Sequence, residues 1–294
     1  MIHRPCKLTY KDGFLLIRNE EVHTVHISEI HTLIVDSTMT TVTGFLLCEL
    51  MKAKVNVIFC DEKRNPTGLL NPCYGSHDTA GRVQDQANWA KERQEYLWQT
   101  IIQRKIRNQG RLLARIDPEA ADQIFMFADA VEPGDRTNRK GHAAKVYFNR
   151  IFGKGFNRNL KCDRNAALDY GYAILLSTFN KEITAKGYVT QLGIHHCNTY
   201  NQFNLSSDLM EPFRCLIDRI VLEQEDKTFD KDYKFLLLEV LNAELSYEYQ
   251  TVSVSTAINR FVRNATEYLT GRIGWNESMV VDIGGTLDES SCHV

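Results

Sequence analysis

The spacing of apolar residues changes character once along this chain, at about residue 80. Before that point they come in short alternating or compact runs, and beyond it they recur every three or four residues over long stretches. A chain patterned this way has to build a strand-rich unit first and a helical unit second. Near the start, Leu8-Thr9-Tyr10 and Phe14-Leu15-Leu16-Ile17 flank Lys11-Asp12-Gly13, and Asp-Gly between apolar runs predicts a hairpin. Residues 22–27 alternate with period two, residues 31–35 and 55–60 are compact apolar runs, and residues 41–54 between them have helical spacing. Pro66, Pro72 and residues 75–78 then punctuate the chain.

In the second part, Trp89, Leu97, Trp98, Ile101, Ile102 and Ile106 trace one stripe of a long helix. Arg104, Lys105, Arg107, Arg111 and Arg115 cluster toward its C-terminal end, where cations suit the helix dipole. Asp117-Pro118-Glu119 predicts a helix start, with Asp as cap and Pro at the first position. Further helices are predicted at 138–152, 165–186, 206–224, 229–245 and 253–271. The predicted fold class is α+β: a small β-rich domain over residues 1–80, a short linker at 81–84, and a larger all-α domain over residues 85–294. A length of 294 residues accommodates two domains of ordinary size.

Composition narrows the setting. Apolar runs such as 55–60 and 235–238 fall far short of the ~18 residues that span a bilayer. The first thirty residues carry Arg4, Lys7, Lys11 and Arg18 and no apolar core of a secretory signal. A cytoplasmic location without membrane attachment is expected. Eight cysteines lie 12 to 89 residues apart with no C-x-x-C pair, which argues against a zinc ribbon or a disulfide scaffold.

The formal net charge of −2 conceals a polarised distribution. Residues 136–164 hold Arg136, Arg139, Lys140, Lys145, Arg150, Lys154, Arg158, Lys161 and Arg164 against the single acid Asp163. Solvated helix faces ordinarily mix signs, so this run favours a phosphate-binding surface over a merely solvated one. Composition alone says only that the partner is a polyanion, with RNA as a possible occupant.

Two segments could carry chemistry: Gly193-Ile194-His195-His196-Cys197-Asn198, and Ser207-Asp208-Leu209-Met210-Glu211-Pro212-Phe213-Arg214. Asp208 and Glu211 are three apart in a predicted helix that Ser206 can cap, which puts both carboxylates on one face. An imidazole from the preceding loop could join them, and one nitrogen with carboxylate oxygens suits Mg²⁺ or Mn²⁺. The plainer alternative is that the acids favour a helix N-terminus and the histidines are satisfied loop residues. His77-Asp78 sits in a turn-rich stretch and reads as loop, and Gly153-Lys154-Gly155 reads as a helix stop.

Taken together, five stretches resemble the integrase of the CRISPR adaptation machinery, the CRISPR-associated endonuclease that captures foreign DNA, in its type II branch. They are VIFCDEKR at 57–64, NPCYGSHD at 71–78, NRKGHAAKVYF at 138–148, LDYGY at 168–172 and NQFNLSSDLMEPFR at 201–214. The resemblance implies an N-terminal β-sandwich joined to a helical catalytic domain. It also implies a homodimer, and a heterohexamer with a small ferredoxin-like CRISPR-associated partner. The implied reaction is a metal-dependent transesterification inserting a short double-stranded DNA into a CRISPR repeat. By the same resemblance, His196 and Glu211 are metal ligands with Mg²⁺ or Mn²⁺ as cofactor, and Asp208 is an auxiliary catalytic acid. Tyr170 and Tyr172 match a Y-G-Y helix near the site. The DNA-binding residues expected from the basic run are Arg136, Arg139, Lys145, Arg150, Lys154, Arg158 and Arg164.

One position departs from the pattern. The family has a glutamate immediately before Gly-His-Ala-Ala, and this chain has Lys140. A charged ammonium has donors only, so it cannot stand in for a carboxylate on a cation. Glu132 and Asp135, the nearest upstream acids, fall before the predicted helix start. An engineered substitution that disables the site, a natural inactive variant, and a site working with His196, Glu211 and Asp208 alone all fit the sequence. So does a non-catalytic DNA-binding scaffold within the same machinery.

Overall fold

A computed structural model describes residues 1–71, 76–224 and 227–283. Pro72, Cys73 and Gly75 of the 71–78 stretch, and the end of the chain including Cys292, lie outside the described residues. The chain forms two compact units, residues 1–79 with 184–187, and residues 80–183 with 188 to the end of the described chain.

In the first unit, β1 (Lys7–Lys11) and β2 (Phe14–Arg18) form the expected antiparallel hairpin. Asp12 and Gly13 both take positive φ, as a tight primed turn requires. β3 (Val22–His26) continues that sheet beyond β2. β4 (Thr32–Val35), β5 (Thr41–Val42), α1 (Gly44–Lys52), β6 (Asn56–Cys60) and β7 (Pro66–Leu70) follow. The sheet orders are β3-β2-β1-β5 and β4-β6-β7. Leu8 and Leu15 from the first sheet, Leu33, Val35 and Val57 from the second, and Leu46 and Leu50 from α1 share one core. That is a sandwich, as the resemblance implies. β7 goes beyond the sequence reading, which took Pro66 as punctuation. Proline is tolerated here because it opens an edge strand, where a missing donor interrupts no ladder.

The second unit begins with α2 (Thr79–Ala87), so residues 81–84 are helical and not the expected linker. α3 (Lys91–Ala114) is the long striped helix, and α4 (Pro118–Asp129) starts as predicted, with the Asp117 carboxylate accepting from the Ala120 amide. α5 (Arg139–Ile151) and α6 (Asp163–Ala185) also follow the pattern. α6 packs so closely on the later helix bearing Ile217 that a Cβ at Gly171 would come within 2.5 Å of Ile217 Cγ2, which accounts for the glycine between Tyr170 and Tyr172.

The single helix predicted at 206–224 is a correction. The segment breaks into α7 (Asn204–Leu209), a 3₁₀ turn (Glu211–Phe213) and α8 (Arg214–Glu223). Pro212 has no N–H to continue the ladder, and Ser206 is not the cap but a buried residue whose hydroxyl pairs with Asn180. Asp208 and Glu211 therefore do not share one continuous helical face.

α9 (Lys231–Glu239) stops short of residue 245, and β8 (Glu244–Tyr247) and β9 (Gln250–Ser253) form a hairpin inside the otherwise helical unit. Its turn places Glu248 and Tyr249 at positive φ without a glycine or asparagine, so no local signal announces it. α10 (Val254–Leu269) is capped by the Ser253 hydroxyl, which accepts from the Thr256 amide. After it, Val280, Val281 and Ile283 join the core, and the Asn108 side chain on α3 bonds the Val281 carbonyl and the Ile283 amide.

Candidate functional site

The loop bearing the histidines is built around one carboxylate. Asp208, fully buried at 0% exposure on α7, accepts the backbone N–H groups of Ile194 at 2.7 Å, His195 at 2.9 Å and His196 at 3.2 Å. It also accepts from His196 Nδ1 at 2.5 Å. A carboxylate only accepts, so Nδ1 is the donor and carries a proton. The loop can wrap this tightly because residue 193 is glycine: a Cβ there would stand 2.4 Å from the His196 carbonyl oxygen and 2.8 Å from Asp208 Oδ2. Gln86 on α2 holds the approach to the loop, donating to the carbonyls of Val189 and Leu192, each at 2.8 Å, and accepting from the Val189 amide.

Trp98 on α3 is the platform beneath. His195 stacks on the indole at 4.3 Å with the rings 6° from parallel, His196 meets it edge-on at 5.6 Å, and the Lys140 ammonium lies 4.8 Å from its centroid. Burial lowers the His195 pKa despite the opposing charge of Asp208.

Lys140 is set in place by the start of α5. Asp135 takes the backbone N–H groups of Arg139 at 2.8 Å and Lys140 at 3.2 Å, and Asn138, in the left-handed region, accepts from the Gly141 amide. Asp135 is thus committed to the helix N-terminus.

Glu211 sits in the 3₁₀ turn among cations. Lys105 Nζ is 2.5 Å and Arg214 Nε 3.4 Å from its Oε2. Burial alone would raise the Glu211 carboxyl, but Lys105, Arg214 and Lys140 together outweigh it and hold the pKa at about 2. Burial pulls the Lys140 pKa down, with Glu211 opposing and Lys105 adding to the fall. Arg214 is backed by Tyr172, whose ring centroid lies 4.7 Å from the guanidinium. Tyr172 and Tyr147 both donate to the buried Asp218, Tyr147 at 2.9 Å. Tyr170, by contrast, is a core residue.

The donor set does not fit a divalent cation. Among the described residues no three or more His, Cys, Asp or Glu side chains gather where they could share an ion. The Asp208 oxygens serve the histidine loop, Glu211 is paired with Lys105, and Lys140 adds a positive charge beside Glu211.

The basic residues divide in two. Those of α3 are neutralised by acids distant in sequence: Arg104 and Arg111 by Asp282, Arg107 by Asp129, and Lys105 by Glu211. In the 136–164 run, Arg136 pairs with Glu95, Arg150 with Asp117, and Arg158 with Asp169, while Arg164 lies over Phe152. Arg139 is only partly exposed. Lys145 and Lys154 are exposed, and their ammonium groups make no ion pair with a described residue.

Sequence reading passed over Trp98 and Lys105 as parts of an apolar stripe and a basic cluster. They are seven residues apart on α3, hence on one face, and a lysine two turns below a tryptophan within an apolar stripe is the signal that pointed here.

Beside His196 opens a cavity of about 380 Å³ whose lining residues include Gln86, Gln94, Gln191, Asn198 and Asn204. Among the described residues no helix is long and apolar enough to cross a membrane.

Comparison with known proteins identifies the family and the fold. Residues 1–236 match the family model "CRISPR associated protein Cas1". A CRISPR-associated endonuclease Cas1 of Neisseria meningitidis serogroup C (strain 8013) is 32% identical over 269 residues, spanning 89% of this chain and 88% of the relative. A casposase bound to integration product superposes with a TM-score of 0.75 at 18% identity, over 95% of this chain and 91% of that one. A CAS1 protein from Thermotoga maritima gives a TM-score of 0.75 at 16% identity, over 94% of this chain and 98% of that one. The family-model match over residues 1–236, together with the 32% identical relative, makes this chain a member of the Cas1 family of CRISPR-associated proteins.

Proposed function

We propose that this chain handles double-stranded DNA in the spacer-acquisition step of CRISPR defence, engaging a captured fragment and a CRISPR repeat, and that Lys140 suppresses its phosphodiester transfer. Family membership and the fold shared with a casposase support the DNA-handling part. The observation that carries the rest is the cationic ring around Glu211: Lys105 and Arg214 contact it, and Lys140 stands where the family pattern has a carboxylate.

In this reading the divalent ion expected from the resemblance, Mg²⁺ or Mn²⁺, has lost one of its three ligands. His196 offers Nε2, Glu211 is tied to an ammonium, and Asp208 is a positioning residue that fixes the His196 tautomer and loop. What the chain's own residues do is hold phosphate. Lys145 and Lys154 supply exposed positive charge to the DNA backbone, while the paired arginines of the 136–164 run shape that surface. A homodimer, and a heterohexamer with a small ferredoxin-like partner, belong to the same proposal.

The test is half-site strand transfer of a short DNA into a repeat-containing target, with purified partner and Mn²⁺, comparing the chain with Lys140→Glu. Transfer by Lys140→Glu alone is the expected result. Equal transfer by both proteins refutes the suppression. The Lys105–Glu211 pair also favours a second reading, a DNA-binding scaffold without catalysis. It predicts that Lys140→Glu stays inactive and that His196→Ala leaves complex assembly and DNA affinity unchanged.

A further inference from the structure

Three cationic side chains, Lys105, Lys140 and Arg214, surround one carboxylate, Glu211, in the site described above. Two of them contact it directly. Lys140 does not: its ammonium makes no hydrogen bond or ion pair with any described residue, and it lies 4.8 Å from the centroid of the Trp98 ring, with Glu211 and Asp208 attracting it electrostatically. A half-buried ammonium that lies against an aromatic face among other cations, with no hydrogen bond to a described residue, is an arrangement that an external anion completes. The local charge has the sign for it, three cations against the two carboxylates Glu211 and Asp208. The placement is built, because Asp135 and Asn138 fix the start of α5 and the His195 stack fixes the indole below.

We propose that Lys140, with Arg214 and Lys105 behind it, forms a clamp for a phosphodiester of the DNA backbone that works without a divalent ion, the ammonium supplying in place the positive charge that a metal would otherwise bring. The proposal rests on the DNA-handling reading. A phosphodiester carries one negative charge and two free oxygens that accept from an ammonium. Loss of the metal-binding carboxylate and gain of the phosphate contact then come from the same residue, so the substitution exchanges one binding mode for another.

The experiment is binding of a fluorescent duplex with splayed 3′ ends, followed by anisotropy in EDTA and in Mn²⁺ over a range of salt. The chain binds equally well in both. Lys140→Gln weakens binding by about tenfold in EDTA, and lowers the slope of log affinity against log salt by about one. Lys140→Arg keeps most of both. Lys140→Met, which can still pack on Trp98, behaves as Lys140→Gln and separates lost charge from lost packing. Inorganic phosphate displaces the duplex no better than chloride at equal ionic strength.

Lys140→Gln and Lys140→Met binding with the affinity and salt slope of the unsubstituted chain overturns the clamp and leaves the DNA reading standing. Lys140-dependent displacement by inorganic phosphate makes this a site for the free anion and overturns the assignment to the DNA backbone. Failure of the unsubstituted chain to bind the duplex overturns both.

Discussion

Lys105 Nζ stands 2.5 Å from Glu211 Oε2, and both side chains are almost wholly buried. Removing Glu211 leaves Lys105 and Arg214 without their counter-charge, and removing Lys105 leaves the carboxylate with Arg214 alone, in either case in a poor dielectric. Glu211→Gln and Lys105→Met are each expected to cost roughly 3 kcal/mol. The double variant is expected to cost less than the sum by more than about 1 kcal/mol. Urea unfolding of the four proteins measures this, and strict additivity would show that the pair is not coupled.

The same carboxylate shapes the acid limb of stability. Its pKa falls from an ordinary 4.5 to about 2 on folding. A depressed carboxyl stabilises the fold fully above its unfolded pKa, and the contribution disappears as pH falls through the folded value. Between pH 4.5 and 2 the chain therefore loses on the order of 3 kcal/mol through this group. Glu211→Gln has no carboxyl to titrate, so its unfolding free energy declines less steeply over that window. Urea midpoints collected at several acid pH values make the comparison, and parallel declines would contradict it.

Asp208 organises the histidine loop through three amides and one imidazole. Asp208→Asn keeps the shape but turns one oxygen into a donor that faces other donors. It is expected to destabilise the chain by about 2 to 3 kcal/mol and to speed hydrogen exchange at the amides of Ile194, His195 and His196. Gly193→Ala should do the same by steric means, since its Cβ would collide with the His196 carbonyl. Unchanged exchange at those amides in both variants would show that the loop stands without Asp208.

How far the sequence could be read depended on whether the determining interactions were local. The hairpin around Asp12-Gly13, the cap at Asp117 and the stripe of α3 follow from residues close in the chain, and all three form as expected. The β8–β9 hairpin was illegible because Glu248 and Tyr249 adopt positive φ without the residues that favour it. The break at Pro212 was legible in principle, since proline disrupts a helix interior, yet the apolar spacing on either side masked it. Charge was least legible of all. The α3 basic cluster is neutralised by Asp129, Glu211 and Asp282, the last two more than a hundred residues away. The role of Asp208 was hidden for a related reason: its partners are backbone amides, which no residue pattern advertises.

Under the proposed function, Lys140 removes the third ligand of a metal site. Titration with Mn²⁺ followed by electron paramagnetic resonance, on the purified chain and on Lys140→Glu, tests this most directly. The prediction is that Lys140→Glu sequesters one ion per chain while the unsubstituted chain leaves the free Mn²⁺ signal unchanged over the same range. Sequestration of one ion by the unsubstituted chain, abolished by His196→Ala, would contradict it.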